Sequence, residues 1–332
     1  MKRKEFLRNS GIFLGASGIA NSFGNSIEQI LQKEKQKKTP NLIIINLSGG
    51  IRNEDIYQGQ SAMPKLLGNS KSFPLKCPST DHKINFQHLM FGGKANNGDF
   101  NPSLFEHLNH FKQYSQKDCF SIYEGLGNQY TSALHKSKLS DDDSIFANEI
   151  NSKMKVDYKL PYYLGISDCA SIVSKFEHLD HILTHDFPKI INVNFSEMDV
   201  CHSNYSDYLK ILNSIDLGID VLSERVKSLP KYNDNTVILA ISSLGRNSIS
   251  NSIKDNNGKF GYDHNHESAL YTFAAIRNLS KLNISLSPKG NVQKTYTLAD
   301  IHFMICEILN IDKEVMKITA SEQKSKSPVI IY

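Results

Sequence analysis

Three apolar runs dominate the hydrophobic pattern of the chain: Asn41–Leu47 (NLIIINL), Ile190–Phe195 (IINVNF) and Thr236–Ile241 (TVILAI). None alternates with polar residues, and each stops at small or polar ones, which predicts strands buried on both faces in the middle of a sheet. Between the second and third runs, Tyr208–Leu229 carries Leu209, Leu212, Ile215, Ile219, Leu222 and Val226 at largely helical spacing and closes at Pro230. That spacing predicts a long crossover helix, and Thr297–Ile311 (TLADIHFMICEILNI) predicts another amphipathic helix. The stretch from Gly59 to Gly98, rich in Gly, Ser, Asn and Pro, reads as loop and insertion. A polar tail, Ser321–Ser327, precedes a last short apolar run to Tyr332. Buried strands alternating with helices predict an α/β fold, a mainly parallel sheet with helices on both faces.

Composition narrows the class. The 332 residues are 39% hydrophobic and 22% charged, an ordinary globular balance. No apolar stretch approaches the ~20 residues that cross a bilayer, so the body is not membrane-spanning. The net charge of +4 invites a nucleic-acid partner, but its location removes that reading. Residues 1–38 hold eight Lys and Arg against three Glu, a surplus of five, and leave the rest of the chain at −1. A near-neutral body offers no broad surface for phosphate backbones.

The basic surplus belongs to a leader. Lys2, Arg3, Lys4 and Arg8 precede a Gly-rich, weakly apolar run from Gly11 to Ala20, the layout of an export signal. Arg3-Lys4-Glu5-Phe6-Leu7-Arg8 resembles the twin-arginine export signature, with Lys4 in place of the second arginine. The alternative is an amphipathic N-terminal helix on a cytoplasmic protein. Residues 1–38 are thus expected to be signal and polar linker, and 39–332 a single domain in the bacterial periplasm. Five cysteines (Cys77, Cys119, Cys169, Cys201, Cys306) are widely spaced without a C-x-x-C pair, which excludes a zinc ribbon and leaves the disulfide state open.

Candidate chemistry gathers after the apolar runs, where open α/β sheets bind ligands. Asp199 and His202 follow the second run, three residues apart. Asp263, His264 and His266 form a dense cluster in a Gly-flanked loop. Together they suit one divalent ion (zinc, manganese or calcium) with an open position. The competing reading is that Asp199 caps a helix and the loop is polar surface. Arg246 can clamp an anionic substrate or fix its own loop. Ser48, before Gly49-Gly50, is a nucleophile or part of an anion-binding turn, or else a turn that simply needs glycine. His178, His181 and His185 at i, i+3, i+7 read as a surface stripe, while His107 and His110 beside Glu106 sit in a packing helix. Asp141-Asp142-Asp143 lacks calcium-loop spacing.

Five stations in order carry a family likeness: Leu47-Ser48-Gly49-Gly50, Asp199-Val200-Cys201-His202, Ser243-Leu244-Gly245-Arg246, Asp263-His264, and Asp300-Ile301-His302 running to Leu309-Asn310-Ile311-Asp312. The sequence resembles an exported branch of the alkaline phosphatase and sulfatase superfamily from about Asn41 to Asp312. The resemblance implies a three-layer α/β/α sandwich with a metal-hydrolase pocket at the carboxyl ends of the strands. It implies a metal-dependent phosphate- or sulfate-ester hydrolase acting on a small anionic ester or an envelope glycan. It also points to Ser121 and His135 near the pocket and to a buried His302. By the same likeness, Ser48 stands where the superfamily has a metal carboxylate and Ser243 where the branch has Glu. Those losses support a second expectation, an inactive binding or scaffold protein on the same fold.

Overall fold

The computed structural model describes residues 39–92, 103–105, 107–108, 114–123, 148–151, 170–280, 284–286, 295–311 and 329–331. The leader (1–38), Glu106, His110, His135, Asp141-Asp142-Asp143, Cys169 and Asp312 lie outside the described residues. The three apolar runs become β1 (Asn41–Leu47), β5 (Ile190–Phe195) and β6 (Thr236–Ser242). The remaining strands of the main sheet are β2 (Lys71–Lys76), β3 (Cys119–Tyr123), β4 (Asn148–Asn151), β7 (Tyr271–Asn278) and β9 (Tyr296–Thr297). Their order is β4-β3-β5-β1-β6-β7-β2-β9. Ile43 pairs with Ile191 on one side and Ile238 on the other, both in parallel. Among these strands β7 alone runs against the rest. A separate ribbon pairs β8 (Ile284–Leu286) with β10 (Val329–Ile331).

The side-chain period of two divides β1 between two cores. Leu42 and Ile44 join one cluster, with Phe86, Leu89 and Phe91 of the helix His82–Phe91 and Ile301, Met304 and Ile305 of the helix Leu298–Ile308. Ile43, Ile45 and Leu47 join the other, with Phe176 and Leu179 of the helix Ala170–His185 and Leu212, Ile215 and Ile219 of the helix Tyr205–Ser228. In chain order the helices are α1 (Asn53–Tyr57), α2 (Pro64–Gly68), α3 (His82–Phe91), α4 (Ala170–His185), α5 (Tyr205–Ser228) and α6 (Leu298–Ile308). The result is a three-layer α/β/α sandwich, mainly parallel. Among the described residues no helix is long and apolar enough to cross a membrane.

Two expectations change here. The presumed loop Gly59–Gly98 contains α2, β2 and α3. The histidine stripe is not a surface feature throughout: His178 is buried, His181 is half-buried and stacks on the exposed His185 with centroids 4.0 Å apart. His107 is buried, in keeping with a packing helix, and His302 is fully buried with Nδ1 3.1 Å from the Leu89 carbonyl. Ser121 is buried in β3 and accepts from Asn192 Nδ2 at 3.3 Å. Cys77, Cys119, Cys201 and Cys306 are all buried.

Candidate metal centre

Four segments converge at the carboxyl ends of β1, β5 and β6. The first is the turn Ser48–Gly50 after β1. Gly49 lies so close to the second segment that a Cβ there would sit 2.5 Å from the Asp199 nitrogen and 2.8 Å from the Met198 Cβ. Gly50 adopts φ +78°, which favours glycine. These two contacts are the physical reason for the Gly-Gly pair.

The second segment is a short 3-10 helix, Glu197–Cys201, leading to His202. Its first residue is anchored by the fully buried Lys175, whose Nζ lies 2.5 Å from Glu197 Oε1, and by the Ser171 hydroxyl on the same oxygen. The anchor fixes the path of the chain two residues before Asp199. The Asp199 side chain caps no helix; it turns towards three imidazoles.

The third segment is a hairpin after β6 that returns through Tyr262, Asp263 and His264. The Asn251 side chain donates to the His202 carbonyl at 2.9 Å and to Asp263 Oδ1 at 3.3 Å. The Asn247 N–H donates to the Asp263 carbonyl at 2.7 Å. The fourth segment is the start of α3. Asp81 accepts from the Ile84 N–H at 3.0 Å, and Gly92 ends the helix in the left-handed region. This cap places His82 in the first turn, facing the others.

At the centre is Asp199 Oδ1. His82 Nε2 lies 3.1 Å from it, and the Nε2 atoms of His202 and His264 each lie 3.4 Å from it. Donor atoms of His82, Asp199 and His264 fall within 4.8 Å of one another. Burial raises the Asp199 pKa, but contacts from His202, His264 and His82 outweigh it and hold the carboxyl well below the usual carboxylate range. Asp263 stands behind His202, with Oδ1 3.4 Å from the ring's other nitrogen, Nδ1. A carboxylate behind a histidine directs its far nitrogen forward, the arrangement common around metal ligands.

Other expected residues are placed differently. His266 is exposed and turns away, its Nδ1 accepting from the Ser268 N–H at 3.3 Å to cap a short 3-10 helix. Ser48 is buried, and its hydroxyl donates to the Phe195 carbonyl at 3.4 Å, so it is not presented as a nucleophile. Ser243 is buried with no partner on its hydroxyl. Arg246 is turned into the fold. It is buried and donates to carbonyls of Gly50 (3.1 Å), Gly49 (3.2 Å), Tyr262 (2.7 Å), Cys201 (3.4 Å) and Met198, with its guanidinium 4.7 Å from the Tyr208 ring centroid. It is a clasp joining three of the four segments.

The chain is similar to solved structures of the alkaline phosphatase superfamily. One is a protein of that superfamily from Vibrio parahaemolyticus, 13% identical, covering 82% of this chain and 67% of that one, with a TM-score of 0.47. The alkaline phosphatase from the Antarctic bacterium TAB5 is 12% identical, covers 83% of this chain and 99% of that one, and has a TM-score of 0.48. The C-terminal periplasmic domain of EcEptC from Escherichia coli is 13% identical, with 89% and 93% covered and a TM-score of 0.49. No protein-family model matches the chain, and no curated protein matches it in sequence.

His82 is the member of the centre that sequence reasoning missed. Its signal was the bracket around α3: Asp81 as N-cap and Gly92 as stop, with ten residues between them that include Phe86, Leu89, Met90 and Phe91.

Proposed function

We propose that this chain is an exported, alkaline-phosphatase-like hydrolase of phosphate or sulfate esters that works with a single divalent metal. The observation that carries the reading is the convergence of three imidazole nitrogens on one half-buried carboxylate oxygen. A three-histidine, one-carboxylate set suits zinc or a similar borderline ion. His82, Asp199, His202 and His264 would hold it. When bound, such an ion polarises an ester oxygen and makes a coordinated water a nucleophile near neutral pH.

The chain's own residues supply geometry. Asp263 sets the orientation of His202 from behind, Asn251 ties Asp263 to the His202 backbone, and Arg246 holds the loops in register. With Ser48 turned to a carbonyl, attack by water fits this site better than attack by a serine. Substrates are small anionic esters or the anionic groups of an envelope glycan, reached in the periplasm after export of the leader. Residues 39–332 act as one domain in this reading.

A second reading, a metal-binding protein without catalysis, is favoured by one observation: Arg246 is wholly engaged with carbonyls, so it leaves no anion clamp at that position. Elemental mass spectrometry on chelator-free protein, with His82→Ala beside wild type, tests the centre. Metal in wild type that is lost in the variant supports it, and ester turnover that disappears with the metal supports hydrolysis. Metal-free wild type after zinc, manganese and calcium reconstitution would overturn the centre; bound metal without turnover would leave the second reading.

A further inference from the structure

The described residues expose eight large hydrophobic side chains, and five of them sit on the segments that build the metal centre. Val200 follows Asp199 and is 83% exposed; Ile84 lies two residues after His82. Ile249 at 74%, Ile253 and Phe260 belong to the hairpin that delivers Asp263 and His264. Scattered exposed apolar residues need no explanation, but five of eight on the segments that carry one site do.

The hairpin is built firmly enough to present them. Asn251 N–H bonds to the Gly261 carbonyl at 2.9 Å, and Gly261 N–H to the Ile253 carbonyl at 3.0 Å. At its tip the Asp255 carboxylate accepts N–H groups from Asn257 (2.8 Å), Lys259 (2.9 Å) and, across on α5, Ser206 (2.9 Å). Asp255 is therefore occupied internally. The two lysines of the tip, Lys254 and Lys259, are exposed and lie over the rings of Phe260 and Tyr205. Exposed aliphatic and aromatic side chains interleaved with lysines on a fixed hairpin have the chemistry of a surface that meets an anionic bilayer.

We propose that the hairpin 248–260, with Val200 and Ile84, docks the protein on an anionic lipid surface, bringing the mouth of the centre to the headgroups. The docking does not require metal. Flotation of the full chain with phosphatidylglycerol vesicles and with phosphatidylcholine vesicles tests it. Wild type floats with the anionic vesicles. Replacing two apolar contacts in Ile249→Asp/Ile253→Asp lowers the partition at least about tenfold. Removing two cations in Lys254→Gln/Lys259→Gln lowers it roughly 30-fold. Both variants keep the wild-type urea midpoint and metal content, because the altered side chains are exposed.

Three results overturn the proposal. Wild type fails to float; the variants float as well as wild type, which assigns binding to the basic leader they share; or flotation vanishes with chelation, which assigns it to headgroup capture at the histidines. Metal content read on the same samples separates failure of docking from failure of the centre.

Discussion

Replacing Arg246 with Met asks whether the clasp holds the site together. The side chain is 2% exposed and donates to five carbonyls, drawn from the turn after β1, the 3-10 helix and the residue before Asp263. Met preserves much of the stem and its packing on Tyr208, but supplies no donor. The contacts to Met198, Tyr262 and Gly50 are the firm ones, those to Gly49 and Cys201 being longer. A buried carbonyl left without a partner costs about 1–3 kcal/mol. Against this, the variant escapes the cost of burying a guanidinium, a cost visible in the way burial lowers the Arg246 pKa. Three orphaned carbonyls less that relief give a net loss of about 3–5 kcal/mol.

That loss is a large share of the 5–15 kcal/mol typical of whole domains, roughly. The assay is urea unfolding of metal-free protein, with metal titration of the folded variant alongside. Arg246→Lys recovers only part of the loss, because an ammonium is a point charge with three donors and lacks the planar fork. A shift in unfolding free energy below about 1 kcal/mol, with metal affinity unchanged, would refute the reasoning, since it would mean water or neighbouring amides replace the clasp freely.

Two further outcomes follow from local geometry. Gly49→Ala forces a Cβ to within 2.5 Å of the Asp199 nitrogen and displaces the 3-10 helix, so metal affinity falls at least about tenfold and stability by about 1–3 kcal/mol, read by titration and urea unfolding. Burial lowers the His302 pKa to about 4 from the ordinary 6.5, against the raising effect of its bond to Leu89, so the folded state keeps the ring neutral while the unfolded chain takes up a proton. Stability is therefore full above pH 6.5 and declines by about 3 kcal/mol as pH falls towards 4. His302→Asn removes that share of the slope when unfolding is followed across the window; equal slopes in the two proteins would count against it.

The central sheet was legible because its strands are buried on both faces. The residues of β1 and β5 have no solvent side to break the run, so hydrophobicity alone marks their ends. The crossover helix α5 was legible for the complementary reason: it is long and one face is buried, and its start at Tyr205 lies three residues ahead of the predicted one. By contrast β2 reads KSFPLK and turns only Phe73 and Leu75 inward, with a proline between them. In α3, Asn85 and Gln87 interrupt the apolar face yet are themselves buried, which blurs the periodicity. Missing α3 meant missing His82. For Arg246 the sequence left an anion clamp and a loop clasp both open, because an arginine in a turn gives no sign in sequence of whether it faces water or five carbonyls. His266 was grouped with its neighbours by spacing, whereas the loop needed it as a cap.

Ser48 and Ser243, beside the centre, bear on how many ions it can neutralise. Asp199 and Asp263 supply two negative charges, and Arg246, near enough to both for its pKa to feel them, supplies a fixed positive one beneath the loops. One divalent ion leaves the cluster close to neutral; a second would leave an excess of about three positive charges in a partly buried site, where screening by water is weak. Hydroxyls at Ser48 and Ser243 offer no carboxylate to offset that excess; one bonds a strand carbonyl and the other is buried without a hydrogen-bond partner. His82 works in the opposite direction, adding a neutral donor at the edge of the single-ion cluster without adding charge. In the proposed function the donor set thus suits one metal by its charge as well as by its geometry.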